Sequence, residues 1–127
     1  MKHVINKIKF AAMLLFQFNV EKNGKSYKKR ICEERIIHVI ANDPYSALES
    51  AKKIGNDEQF EYESTGKIVK FEFVGVKELI ELTSLAEKDE VWSIFKEMVL
   101  PMERRESIIP STDNLNVFKG NKYKIKI

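Results

Sequence analysis

The chain predicts an α+β fold: an antiparallel β-sheet in β-β-α-β-β order with one main helix, about residues 43–55, packed on one face. Three observations carry this reading. Residues 30–41 form an apolar run rich in Ile31, Ile36, Ile37, Val39 and Ile40. Such β-branched side chains lose rotamer freedom in a helix and pack well on a pleated surface. Asn42-Asp43-Pro44 follows at once, a helix start with a side-chain acceptor and a proline at the first helical position. Two-residue alternation recurs before and after this unit, over 8–20 and 68–76.

Residues 8–20 read as a long first strand by alternation and aromatic content, and Asn23-Gly24 is a type I′ hairpin signal that returns the chain beside it. Lys28, Lys29 and Arg30 extend the returning strand as a basic run expected at the hairpin's end in solvent. In 30–41 apolar residues occupy both phases of the strand period, which predicts a central strand covered on both faces. The helix then buries Ala47, Leu48, Ala51 and Ile54 along a narrow stripe, with Gly55 at its left-handed C-terminal position. Phe60 and Tyr62 alternate with Glu61 and Glu63 as in a half-exposed strand, and Thr65-Gly66 turns the chain. Residues 68–82 read as a further strand with a bulge or bend at Gly75. Residues 89–100 are ambiguous: Val91, Ile94, Phe95, Met98 and Val99 fit a helical stripe, which periodicity favours, while Val91 to Phe95 also fits a strand. Pro101 ends either one. Residues 114–127 read as two short strands around Gly120-Asn121 or as a disordered tail.

At 127 residues the chain is expected to form one domain with a core over about 8–100 and a C-terminal extension over 101–127. A single cysteine, Cys32, rules out an internal disulfide framework. The apolar stretch Phe10 to Phe18 is too short for a membrane span, and with no small-residue cleavage site after it the expected location is the cytoplasm. The net charge of +3 conceals segregation: residues 1–30 carry eight basic side chains against one acid, and residues 31–91 seven against fourteen.

Ala12-Met-Leu-Leu-Phe-Gln-Phe18, the Glu33-Glu34-Arg35 run within a strand, the Asp43-Pro44 helix with Ala47 and Ala51, Phe73-Val-Gly-Val76 and Glu90-Val91-Trp92-Ser93 together resemble an uncharacterised bacterial family, domain of unknown function 4288. The resemblance spans about 10–95. It implies a small β-β-α-β-β domain with a strand at Glu90 to Phe95 and transfers no activity. The chain departs from the pattern in lacking a Gly before Glu90 and in its long C-terminal extension.

Among groups with chemistry to offer, Glu33, Glu34 and Arg35 stand first, because ionised side chains inside an apolar strand must be paired. The bland arrangement is a Glu33–Arg35 surface pair with Glu34 meeting the helix or a lysine of a neighbouring strand. The sharper one makes Glu34 a general base assisted by His38. Cys32 and His38 lie about 20 Å apart along an extended strand and cannot act together. No metal set, cofactor motif or catalytic residue is predicted, and an enzyme is the least favoured class. The leading expectation is a binding protein of the immunity or antitoxin kind. It would neutralise a cognate bacterial toxin, such as a basic nuclease, through an acidic surface of Asp57, Glu58, Glu61, Glu63, Glu87, Asp89 and Glu90. The alternative is a small nucleic-acid-binding accessory protein using Lys22, Lys25, Lys28, Lys29 and Arg30 of the basic hairpin.

Overall fold

The fold is built on β1 (Ile8–Lys22), a strand of 15 residues that pairs with a neighbour along each edge. A computed structural model describes residues 7–82 and 92–119. All pairings in the sheet are antiparallel. The turn at Asn23-Gly24, with φ of 54° and 77°, leads through the two-residue β2 (Lys25–Ser26) into β3 (Lys29–Ala41), which runs back along β1 from Gln17↔Cys32 to Ile8↔Ala41. After α1 (Pro44–Asp57) the chain forms β4 (Phe60–Ser64), turns at Thr65-Gly66 and returns as β5 (Lys67–Glu81) along the other edge of β1. β6 (Trp92–Val99) completes the order β4-β5-β1-β3-β6, with β2 attached to β1.

The helix starts as its sequence requires: Asp43 accepts a hydrogen bond from the Ser46 N–H at 2.8 Å, and Pro44 occupies the first turn. Its buried stripe is Pro44, Ala47, Leu48, Ala51 and Gly55, while Ile54 faces outward. Gly55 is therefore not the left-handed residue past the end. The helix runs on to Asp57, and Gly55 lies in its last turn because a Cβ there would stand 2.4 Å from the Phe73 ring. Beneath the helix Phe10, Ala12, Leu14, Phe16, Ile37, Val39, Phe71, Phe73, Val76 and Leu79 form the main core.

Other expectations are corrected by packing. The strand at 30–41 is interior, but β1 holds the centre, and Ile31 and Ile40 near its ends are exposed. Residues 92–99 are a strand rather than the helix that their periodicity favours: the outer edge of β3 from Lys29 to Ile36 offers a full row of backbone partners, and β6 takes them. The predicted bend near Gly75 is present as two register shifts between β1 and β5, at Met13/Leu14 and Leu15/Phe16.

After Leu100, at φ 46°, residues 101–109 cross the sheet face opposite α1, where Met102, Ile108 and Ile109 pack against Leu15, Cys32 and Val74. The chain continues through a 3₁₀ turn, Thr112–Asn114, into α3 (Asn116–Lys119), preceded by the short α2 (Arg105–Ile108). Leu115, Val117 and Phe118 join the main core, and Phe118 meets Tyr45 with ring centroids 4.7 Å apart. The strand expected from Asn114 onward is thus helical as far as Lys119, because the Glu78 carboxylate accepts the Asn116 N–H at 2.5 Å and its apolar side chains find the core. The strand pair expected around Gly120-Asn121 lies outside the described residues.

Candidate functional site

Strand parity sorts the charged triplet of β3 as alternation demands. Glu33 and Arg35 point to the α1 side: Arg35 Nη2 donates to Glu33 Oε1 at 3.0 Å, its Nη1 to Glu58 Oε1 at 2.8 Å, and the guanidinium lies 4.9 Å from the centroid of the Phe16 ring. Glu34 points the other way and is engaged by Lys77 and by Lys96, the latter at 2.9 Å. Burial opposes ionisation of Glu34, but hydrogen bonds and charge from the two lysines outweigh it and hold its carboxyl below the ordinary value. A carboxylate so held is a weak base, which favours the structural role over general-base work. Burial pushes the neighbouring Cys32 thiol up to about 11.

Arg30 is not in solvent. It is 4% exposed, donates to the Tyr27 carbonyl at 2.8 Å and to Gln17 Oε1 at 3.2 Å, and clasps Glu103 with two bonds of 2.8 and 2.9 Å. The parity of the strand puts it on the side crossed by residues 101–109, and Glu103 brings its counter-charge from a distant part of the chain. Lys22, Lys25, Lys28 and Lys29 remain exposed around the hairpin, as does Tyr27. The lysine of a neighbouring strand expected for Glu34 is present, as Lys96 and Lys77. The sequence could not say which lysines, and it missed Glu103 as the partner of Arg30, because each lies more than forty residues from the group it neutralises.

The feature that stands out on the surface is on the α1 side. The helix stops level with Phe16 and Phe73, and beyond its end two rows of apolar side chains cross the sheet. One runs from Phe60 to Phe71, Phe18 and Ile31; the other from Tyr62 to Val69 and Val20, with Val99 opposite Lys29. Phe60 is 49% exposed, Tyr62 50%, Ile31 56% and Val99 43%. The rings are ordered against one another: Phe71 lies 5.0 Å from Phe60, 4.8 Å from Phe18 and 4.7 Å from Phe16, centroid to centroid. Phe71 itself is buried and the exposed Lys29 stands between Val20 and Val99, so the exposed apolar side chains emerge toward the two edges of this face. Large apolar groups left exposed on one sheet face are the kind of feature that interaction surfaces show.

The predicted acidic residues are distributed around this patch rather than within it. Glu58 stands at the helix end, bound to Arg35, and Asp57 pairs with Lys53 at 3.0 Å. Glu61 and Glu63 alternate with Phe60 and Tyr62 and so lie on the opposite face of β4, across from Lys70 and Ile68. Glu87, Asp89 and Glu90 lie outside the described residues. Among the described residues no three His, Cys, Asp or Glu side chains gather as a metal-ligand group, and no helix is long and apolar enough to cross a membrane.

No curated protein and no solved structure matches the chain. The family described as a domain of unknown function (DUF4288) matches residues 9–93, a span from the start of β1 into β6 that leaves out residues 101–119. With more than half of its length matched in this way, the chain belongs to the DUF4288 family.

Proposed function

We propose that the chain is a non-catalytic protein-binding module of the immunity or antitoxin kind, acting in the bacterial cytoplasm by covering the active face of a cognate toxin. The observation that carries this reading is the bare half of the sheet beyond α1, where Phe60, Tyr62, Ile31 and Val99 are exposed in register. Preformed aromatic anchors on a rigid sheet bind at low entropic cost and are the residue types that dominate binding energy in interfaces. Carboxylates at its margins, Glu58 and Glu97, with Glu61 and Glu63 behind, complement a basic partner such as a nuclease and speed its capture. The nucleic-acid alternative ranks second, since the hairpin keeps four exposed lysines but Arg30 is committed to Glu103.

The test is titration calorimetry against the purified product of the adjacent gene. Phe60→Ala with Tyr62→Ala should weaken binding about 100-fold while leaving the circular dichroism spectrum unchanged. Charge reversal at Glu58, Glu61 and Glu63 should slow association. Binding that is indifferent to all five substitutions would remove this face from the reading, and steeply salt-dependent binding of RNA or DNA instead would transfer the function to the lysine hairpin.

A further inference from the structure

We propose that the groove between α1, the bare edge of β5 and the C-terminal segment binds a small amphipathic carboxylate: an apolar ring or short chain bearing one negative charge. β4 pairs with β5 only from Lys67 to Phe71, so on the edge of β5 away from β1 no strand among the described residues lies beside Phe73 to Val76, and the Phe73 N–H there donates to the Gln59 side chain at 2.9 Å. The stripe of α1 carrying Leu48 and Lys52 forms one wall of the space so left, and residues 105–115 form the other. The cavity measures about 480 Å³, within the range of small-molecule sites. It is shaped by close packing rather than by a gap: a Cβ on Gly75 would stand 2.9 Å from Ile109 Cγ1, so the bare glycine is what lets the C-terminal segment come down onto β5 and floor the groove.

The chemistry of the lining selects the ligand. Leu48, Phe73 and Leu115 supply an apolar bed, and Lys52, Arg105 and Glu106 supply a net charge of one unit positive. Both cations hold weak partners among the described residues. Lys52 stands 3.9 Å from Glu49, at the limit of an ion pair, and Arg105 Nη1 donates to the Met102 sulfur at 3.6 Å, a poor acceptor. A carboxylate gives the guanidinium the planar, two-oxygen partner that it lacks here, while the body of the ligand covers the Phe73 side of the groove. This site is independent of the docking face beyond the helix end.

The probe is 2-naphthoate, titrated into the isotopically labelled full-length chain and followed by the amide signals. Saturable shifts are expected at residues 73–76 and 111–115. Lys52→Met and Arg105→Met, both at solvent-exposed positions, should each raise Kd about fivefold, and the neutral 2-naphthamide should bind at least about tenfold more weakly than the carboxylate. The absence of saturable shifts at these residues, equal affinity for the acid and the amide, or two variants that bind as the parent chain does would overturn the proposal.

Discussion

Glu34 shows how one side chain is decided by partners from two other strands. Its carboxyl is held below the ordinary 4.5 in the folded chain, so the stability it contributes is complete above that value and is lost as pH falls through the folded one. Lys96 shifts in the opposite sense: its hydrogen bond to Glu34 raises it above 10.5, and its contribution is lost as pH rises through that raised value. Between these limits the cluster is fully formed. In urea unfolding, Glu34→Gln should be less stable than the parent by about 2 kcal/mol at pH 7, because Lys77 and Lys96 are left without their shared anion. The difference should narrow as pH falls below 4.5 and close only below the lowered value of the folded chain. A gap that persists unchanged into acid would mean that the carboxylate charge is not what matters at this position. Arg30 teaches a related lesson. A Lys-Lys-Arg run reads as solvated because nothing near it in the chain carries a counter-charge, and only the return of Glu103 makes its burial possible.

At the scale of elements, α1 was legible at its start and misread at its end. The Asp43 cap and Pro44 act locally, through bonds made within four residues, so the sequence contains them whole. Gly55 depends on Phe73 in another element. Gly55→Ala should gain helix propensity, up to about 1 kcal/mol, yet lose more to the clash with a buried ring, for a net destabilisation of about 1–2 kcal/mol in thermal or urea unfolding. A stabilised variant would show that Phe73 moves aside freely. The same division explains β6. Its apolar residues satisfy either period, and the choice was made by the unpaired edge of β3, which no window of eight residues can represent.

Across the whole molecule, residues 101–119 turn a family domain into a sheet packed from both sides. Met102, Ile108 and Ile109 cover Leu15, Cys32 and Val74 on one face, and Leu115, Val117 and Phe118 enter the core on the other. In the intact chain Cys32 is buried and its thiol is pushed up to about 11, so it should resist thiol reagents at pH 8. A chain truncated after Leu100 should be labelled at Cys32 at least about tenfold faster, with circular dichroism reporting whether the sheet persists. Equal labelling rates would show that this segment does not guard the thiol.

The sequence by itself determined the α+β class, the hairpins at Asn23-Gly24 and Thr65-Gly66, the start of α1, the bulged course of β5 and the opposite directions of Glu33 and Glu34. Each of these follows from backbone preferences or side-chain alternation acting over a few residues. Tertiary structure decided that β1 is the centre, that 92–99 is a strand, that Arg30 is buried, and that Phe60, Tyr62, Ile31 and Val99 stand exposed together beyond the end of the helix. Those outcomes depend on which distant edge, counter-charge or covering segment arrives. The free energy that selects among such arrivals comes from pairing and burial across the fold, which local periodicity does not encode.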